Sequence, residues 1–507
     1  MKERLHPIMF TGTGSDVGKS IVAAAFCRIF LQDGYTPAPF KAQNMALNSF
    51  ATPDGLEIGR AQAVQAEAAG VECHTDMNPL LLKPQSDHTS QVVLDGRPVG
   101  TRSASEYFRR EGRAELRAAV CAAFDRLAAR YNPVVMEGAG SMTELNLRDI
   151  DLVNLPMAAH AGADVIIVAD IDRGGVFASV YGSIALLRPE ERRLVKGIII
   201  NKFRGDIRLF ESGVRIIEEL CGVPVLGVIP YYKDIYIEEE DSVALARKST
   251  AAMHGRVNVA VALLRHLSNF TDFNALEHDP RVHLFYTNNT ADIEKADIVI
   301  LPGTKSTIDD LCELRRNGVA DAIRKARRNG ATVLGICGGY QMLGREVLDP
   351  DGVEGDIGRV PGLGLLPVST VMTSGKITRR VDFTMNGDVD GCMPGVGMHG
   401  YEIHMGATAI ADKASAVPLA VLGDGSTDGC FVDGKCMGTY LHGILDNAAF
   451  VDFILAPHAS KIEQASRPFD YEAFKNEQYD LLADHVRRNV DMDKIYGILR
   501  QQTNEGR

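Results

Sequence analysis

Two short segments of this chain carry reactive side chains at apparent strand-to-helix junctions. The first reads Gly12-Thr13-Gly14-Ser15-Asp16-Val17-Gly18-Lys19-Ser20. Glycines at tight positions let backbone N–H groups approach phosphate oxygens that a Cβ would hold away. A helix starting where the loop ends adds the positive end of its dipole. Lys19 can then reach the β- and γ-phosphates of ATP, and the Ser20 hydroxyl can hold Mg²⁺. The strict pattern G-x-x-x-x-G-K-[ST] wants Gly at position 13, where this chain has Thr13 between two glycines. The bland alternative is a Gly-rich turn capping an ordinary helix. Gly-Lys-Ser at the junction argues against it.

The second segment reads Thr332-Val-Leu-Gly335-Ile-Cys337-Gly338-Gly339-Tyr340. This is a nucleophile elbow with cysteine in the serine place. Small flanking residues permit the strained turn that exposes Sγ, and the helix N-terminus behind it favours thiolate. A thiolate nucleophile needs a base, and an oxyanion hole needs two N–H donors. His442, in Thr439-Tyr-Leu-His442-Gly, is the expected base. Gly338 follows the nucleophile, and Gly303, in Leu301-Pro-Gly303-Thr, ends another strand, so these two are the expected oxyanion donors. His404, in Gly400-Tyr-Glu402-Ile-His404, is a rival base with an acid two residues away on the same strand face. The bland alternatives are a buried inert thiol and a satisfied core histidine.

Carboxylates near the phosphate loop are candidate metal ligands. Glu137 ends the run Val134-Val-Met-Glu137, at the strand edge where open α/β sheets gather ligands. Ser20, Glu137 and Glu57 form the expected metal set, with Asp54 a weaker candidate. Asn201, at the end of another apolar run, has an amide that could read an adenine edge or cap a turn.

The elements that must position these groups are legible as apolar runs. Ile8–Thr11, Val134–Glu137, Val165–Ala169, Gly197–Asn201 and Val225–Ile229 read as buried parallel strands. Helical segments Lys19–Gln32, Arg60–Ala69 and Ala114–Arg130 separate them. A polar stretch, Tyr232–Gly255, is the best linker. The pattern restarts with strands Val257–Leu264, Leu284–Thr287, Ile298–Leu301 and Thr332–Ile336, and helices Asp309–Arg316 and Ala320–Asn329. Residues 353–400 read as strands and turns, and Asp470–Arg500 as helical. The alternation predicts α/β architecture: an N-terminal phosphate-loop domain with a doubly wound parallel sheet, and a second α/β domain. The expected boundaries are 1–245, 255–450 and a C-terminal helical extension, 451–507.

Composition narrows the class. The chain has 507 residues, 45% of them hydrophobic and 24% charged, which excludes wholesale disorder. The net charge of −12 argues against a nucleic-acid partner. Nine cysteines without C-x-x-C spacing suit neither a disulfide scaffold nor a structural zinc site, and fit a reducing cytosol. The start, Met1-Lys-Glu-Arg-Leu-His-Pro, shows no signal-peptide core, and no run is long enough to span a membrane. A cytoplasmic enzyme without a membrane partner is expected, and a homo-oligomer is compatible with it.

The string Leu334-Gly-Ile-Cys337-Gly-Gly-Tyr-Gln-Met-Leu343 resembles the elbow of class I glutamine amidotransferases. The phosphate loop resembles that of dethiobiotin synthetase and its relatives. Together they resemble the cobyrinic/cobyric acid amidotransferase family. Phe40-Lys41-Ala-Gln43-Asn44-Met-Ala-Leu-Asn-Ser49, Met77–Pro84, Asp170-Ile-Asp-Arg173-Gly-Gly-Val-Phe177, Asn201–Asp206 and Gly400–His404 look like its cobyric acid branch.

The resemblance implies amidation of the b, d, e and g carboxylates of adenosylcobyrinic acid a,c-diamide, in cobalamin biosynthesis. ATP with Mg²⁺ and glutamine would serve as co-substrates. Lys41, Gln43, Asn44 and Arg173 are the expected corrinoid contacts, with Arg204 a further cation. Class I enzymes usually complete the triad with His-x-Glu; here Gly443-Ile444 follows His442, so a Cys–His dyad is the reading. Two alternatives compete. A cobyrinate a,c-diamide synthase would share both domains, but the Lys41–Asn44 string disfavours it. A non-catalytic phosphate-loop switch would carry a second lysine where this chain has Gly14.

Overall fold

In the computed structural model the described residues are 2–46, 48–84, 89–103, 113–238, 252–411, 414–463 and 468–500. They divide into two compact units. One holds the described residues up to 46, from 56 to 238 and from 474 on; the other holds 48–55 and 252–473.

The first unit is built on six parallel strands: β1 (Ile8–Gly12), β2 (Ala38–Phe40), β3 (Val134–Glu137), β4 (Asp164–Asp170), β5 (Val195–Phe203) and β6 (Val225–Pro230). Their order is β6-β5-β4-β1-β3-β2. β1 and β4 are buried at every position, as a strand covered on both faces requires. The chain winds one way from β1 to β2 and β3 and the other way through β4, β5 and β6. The order therefore reverses beside β1, and the crevice for a ligand lies at its C-terminal end. Helix α1 (Lys19–Gln32) starts there and packs Phe26 against Phe10, ring centroids 4.7 Å apart. A smaller sheet pairs Gln43–Met45 with Leu80–Pro84, then Thr89–Leu94 and Arg97–Ser103.

The C-terminal helices revise the expected boundaries. Tyr479, Leu482, Val486, Ile495 and Leu499 enter the same core as Phe26 and Ile29. Tyr496 meets Phe30 edge-on at 5.8 Å. The amphipathic face buries against α1, so residues from 474 on complete the first unit, whereas 451–463 and 468–473 stay with the second. Residues 48–55, expected in the first domain, join the second. There Phe50 packs on Tyr401 at 4.7 Å and Arg380 Nε donates to the Ala51 carbonyl at 2.8 Å. The expected linker falls largely outside the described residues.

The second unit is built on β7 (Val257–Ala262), β8 (Val282–Thr287), β9 (Ile298–Leu301), β10 (Thr332–Ile336), β13 (Cys430–Asp433) and β14 (Cys436–Thr439). Their order is β8-β7-β9-β10-β14-β13. β13 is the antiparallel edge strand. Between β10 and β13 the chain makes a long antiparallel pair, β11 (Val368–Met385) and β12 (Met398–Ile410). Among the described residues no helix is long and apolar enough to cross a membrane.

Candidate active site

The phosphate loop leaves β1 at Gly12 and enters α1 at Lys19. Gly18 has φ 96°, and a Cβ on it would stand 2.2 Å from Asn201 Nδ2. Glycine is therefore required there twice over, by conformation and by space. The Asn201 amide donates to the Val17 carbonyl at 2.9 Å and so braces the loop. Lys19 Nζ donates to the carbonyls of Gly14 at 2.8 Å and Gly140 at 3.0 Å. Burial lowers its pKa to about 8, against the opposing pull of Glu137. Ser20 Oγ donates to Glu137 Oε1 at 2.8 Å. Lys41 Nζ reaches the same oxygen at 2.8 Å, and Gln65 donates to the other at 2.7 Å. Burial opposes ionisation of Glu137, but Lys41 and these hydrogen bonds outweigh it and hold the carboxyl below its ordinary range.

The other expected residues scatter. Glu57 is buried and paired with Lys83. Asp54 is exposed and belongs to the second unit. Lys41 is committed to Glu137, and Asn44 Nδ2 donates to Gln62 at 3.0 Å. Gln43 lies half-buried on its strand. Arg173 is exposed, 3.6 Å from Asp16 at the loop. Arg204 Nε is bound to Asp172 at 2.6 Å.

In the second unit, β10 ends at Ile336 and is followed by Cys337, whose φ of 52° and ψ of −110° are strained for a non-glycine residue. The turn is possible because its neighbours lack side chains. A Cβ on Gly339 would stand 2.0 Å from the Leu301 carbonyl oxygen, and one on Gly338 would stand 2.7 Å from Thr304 Cγ2. The Cys337 N–H donates to the Thr439 carbonyl at 2.8 Å, tying the elbow to the end of β14. The helix Gly338–Leu343 begins at once. Gly303 also reaches the site: a Cβ on it would be 3.2 Å from His442 Cε1. Gly303, Gly338, Cys337 and His442 are thus brought together as expected.

His442 is almost fully buried, at 1% exposure. Its Nδ1 lies 2.7 Å from Asp272 Oδ2, and Asp272 Oδ1 accepts the Gly443 N–H at 3.1 Å. With Nδ1 committed to the carboxylate, Nε2 is the ring nitrogen left to serve Cys337. The imidazole stacks on Tyr401, centroids 5.3 Å apart. Burial disfavours the imidazolium, but Asp272 and Cys337 overcome it and raise the pKa to about 10. A triad therefore replaces the expected dyad. Asp272 sits in Asn269-Phe-Thr-Asp272-Phe273, after β7. The available signal was a lone acid among aromatic residues beyond a strand, at the sheet edge from which Gly303 and Cys337 also emerge.

The rival base lacks the facing carboxylate that orients His442. His404 Nδ1 faces the Gly406 carbonyl at 3.2 Å, and Glu402 is taken by Arg379. Gln341, unremarked in the sequence, is a buried brace: it accepts from Thr307 Oγ1 at 3.0 Å and donates to Met405 O at 3.0 Å and Tyr440 Oη at 3.1 Å.

Residues 8–243 match the CobQ/CobB/MinD/ParA nucleotide binding domain, and residues 258–450 match the CobB/CobQ-like glutamine amidotransferase domain. Over 499 residues the chain is 72% identical to the cobyric acid synthase of Bacteroides fragilis, covering 98% of this chain and 99% of that protein. The chain belongs to the cobyric acid synthase family. It is 57% identical to the cobyric acid synthase of Parabacteroides distasonis over 503 residues, covering 99% of this chain and all of that protein. To that of Syntrophobacter fumaroxidans it is 50% identical over 510 residues, covering 98% and 99%. In this cobyric acid synthase family member the two family domains coincide with the two α/β sheets. The phosphate loop lies within the nucleotide-binding match, and Asp272, Cys337 and His442 within the amidotransferase match.

Proposed function

We propose that this chain amidates the b, d, e and g carboxylates of adenosylcobyrinic acid a,c-diamide, giving adenosylcobyric acid. ATP drives the reaction and glutamine supplies the nitrogen. The observation that carries the reading is a Cys337–His442–Asp272 array in the same chain as a Lys19–Ser20–Glu137 phosphate loop. The names borne by its relatives support the corrinoid substrate.

A carboxylate resists amines because its leaving group would be oxide. Transfer of the γ-phosphoryl of ATP to the carboxylate oxygen gives an acyl phosphate and ADP. Lys19, freed from the Gly14 and Gly140 carbonyls, would meet the charge on the transferred group. Ser20 and Glu137 offer hard oxygen donors, one of them ionised, which fits Mg²⁺ shared with phosphate oxygens. Bound there, the ion would neutralise phosphate charge.

Ammonia comes from glutamine. The Cys337 thiolate attacks the carboxamide carbon, and the oxygen takes the charge beside the Gly303 and Gly338 backbone. His442, oriented by Asp272, gives a proton to the leaving nitrogen, so the C–N bond breaks and ammonia departs. Water, deprotonated by His442, then hydrolyses the γ-glutamyl thioester to glutamate. Ammonia attacks the acyl phosphate, and amide and inorganic phosphate leave. Incubation with the diamide, glutamine and ATP, followed by mass spectrometry of the corrinoids, tests this. Four successive amidations are expected. No corrinoid product, or amidation of the a and c carboxylates of cobyrinic acid instead, would overturn the assignment.

A further inference from the structure

The glutaminase half holds a second buried histidine that the reaction above does not use. His404 is 8% exposed on β12. The preceding residue, Ile403, offers its carbonyl to Cys337 Sγ at 3.6 Å. The His404 ring lies flat on Tyr440, with centroids 3.7 Å apart and planes at 15°. Tyr440 is two residues before His442, and its phenol is held by Thr408 at 2.5 Å and Gln341 at 3.1 Å. The His404 ring is thus held on Tyr440, and its backbone neighbour Ile403 touches the nucleophile.

Its protonation follows from its partners. A carbonyl oxygen can only accept, so Nδ1 carries the proton that meets the Gly406 carbonyl at 3.2 Å. In a neutral ring Nε2 is then a bare lone pair, and among the described residues it has no hydrogen-bond partner. The surroundings keep the ring neutral. Burial lowers the pKa to about 4, and His442 and Arg379 add to the effect while the Gly406 bond opposes it. Glu402, the acid nearest in sequence, is neutralised by Arg379 rather than facing the imidazole.

A bound glutamine brings what this acceptor lacks. Its carboxamide oxygen goes to the oxyanion donors, and its nitrogen presents two N–H groups that need acceptors. We propose that His404 Nε2 accepts a hydrogen bond from the carboxamide nitrogen of glutamine, positioning the leaving ammonia and selecting glutamine over glutamate. The selection is electrostatic. Glutamate offers no N–H there, and its carboxylate oxygen would face a lone pair. A weakly basic acceptor also leaves the departing ammonia unprotonated, the form that attacks an acyl phosphate. The inference rests on the glutaminase reading of Cys337 and His442.

The test compares His404→Phe, which keeps the ring on Tyr440 but has no acceptor, with His404→Gln, which can place an amide oxygen where Nε2 stood. Glutamate release should fall roughly ten- to a hundredfold in kcat/KM for glutamine in the Phe variant. Glutamate should become a stronger inhibitor, and the Gln variant should recover most of the loss. Wild-type turnover in the Phe variant, or equal loss in both, overturns the proposal. A direct measurement covers the case of a misfolded Phe variant. In Cys337→Ala protein, the ¹⁵N resonance of His404 Nε2 should shift on adding glutamine and stay in place on adding glutamate. No shift with glutamine overturns the proposal. Absence of glutaminase in the wild-type protein would instead overturn the underlying reading.

Discussion

Asp272 Oδ2 lies 2.7 Å from His442 Nδ1, although the two residues are 170 positions apart. The contact fixes the imidazole tautomer and ring plane and stabilises the imidazolium that must protonate the leaving amide nitrogen. Asp272 binds the Gly443 N–H with its other oxygen, so the carboxylate is held by the same loop that presents the histidine.

Replacing Asp272 by Asn should lower glutamate release by roughly 10²–10⁴-fold while sparing ammonia-driven amidation. The pH dependence has a definite sign. In the folded protein the His442 pKa stands near 10 instead of 6.5. That raised value contributes stability fully present below 6.5 and lost as pH rises through about 10. In the Asn variant the alkaline arm of the glutaminase profile should move down by about one unit or more. Its stability deficit relative to wild type should narrow as pH rises. A profile that does not move would exclude the ion pair as the cause.

Cys337→Ala should abolish glutamine-dependent amidation and leave the ammonia-driven, ATP-dependent reaction intact. Parallel assays with glutamine and with ammonium salt at alkaline pH check this. Loss of both activities in a normally folded variant would contradict the division of labour between the two units.

Lys19→Ala should remove amidation from either nitrogen source, because both need the acyl phosphate, while glutamate release continues. Lys19 also sets a pH limit on nucleotide binding. Burial places its pKa near 8, so it is charged at pH 7 and loses that charge as pH rises past 8. ATP affinity should fall above that pH, and calorimetry in buffers of different ionisation enthalpy should show proton uptake on binding. Pure phosphate-loop binding without proton uptake at pH 9 would count against it.

Gly18→Ala should destabilise the first unit by about 1–3 kcal/mol and weaken nucleotide binding together. The added methyl meets Asn201 Nδ2 at 2.2 Å in a backbone with φ 96°. Thermal unfolding with and without ATP would read both effects. An unchanged melting temperature would show that the Asn201 brace yields without cost.

Where covalent neighbours set the chemistry, the residues could be read directly. The elbow at Cys337 and the loop at Gly12–Ser20 are local patterns, because a strained turn and a phosphate cradle each need particular residue types at adjacent positions. The buried strands were equally plain: Val134–Glu137, Ile298–Leu301 and Thr332–Ile336 are continuous apolar runs and fold with the expected ends. His442 was found by its local motif, and Gly303 by its place after a strand.

Tertiary structure decided whatever depends on partners distant in the chain. Asp272 looks like any loop acid until the β7 and β14 ends meet around His442. Glu57 and Glu137 have the same side chain, and both are buried. Folding sends one to Lys83 and the other to Ser20, Lys41 and Gln65. Asn201 reaches the Val17 carbonyl from β5, and the acid that faces an imidazole is Asp272 on His442, whereas Glu402 pairs with Arg379. Domain membership was decided the same way, since burying Tyr479 and Tyr496 against α1 brings the end of the chain back to its beginning. Residue type and spacing fix which chemistry is available, whereas charge pairing and burial, which act through space, fix which copy of a residue performs it.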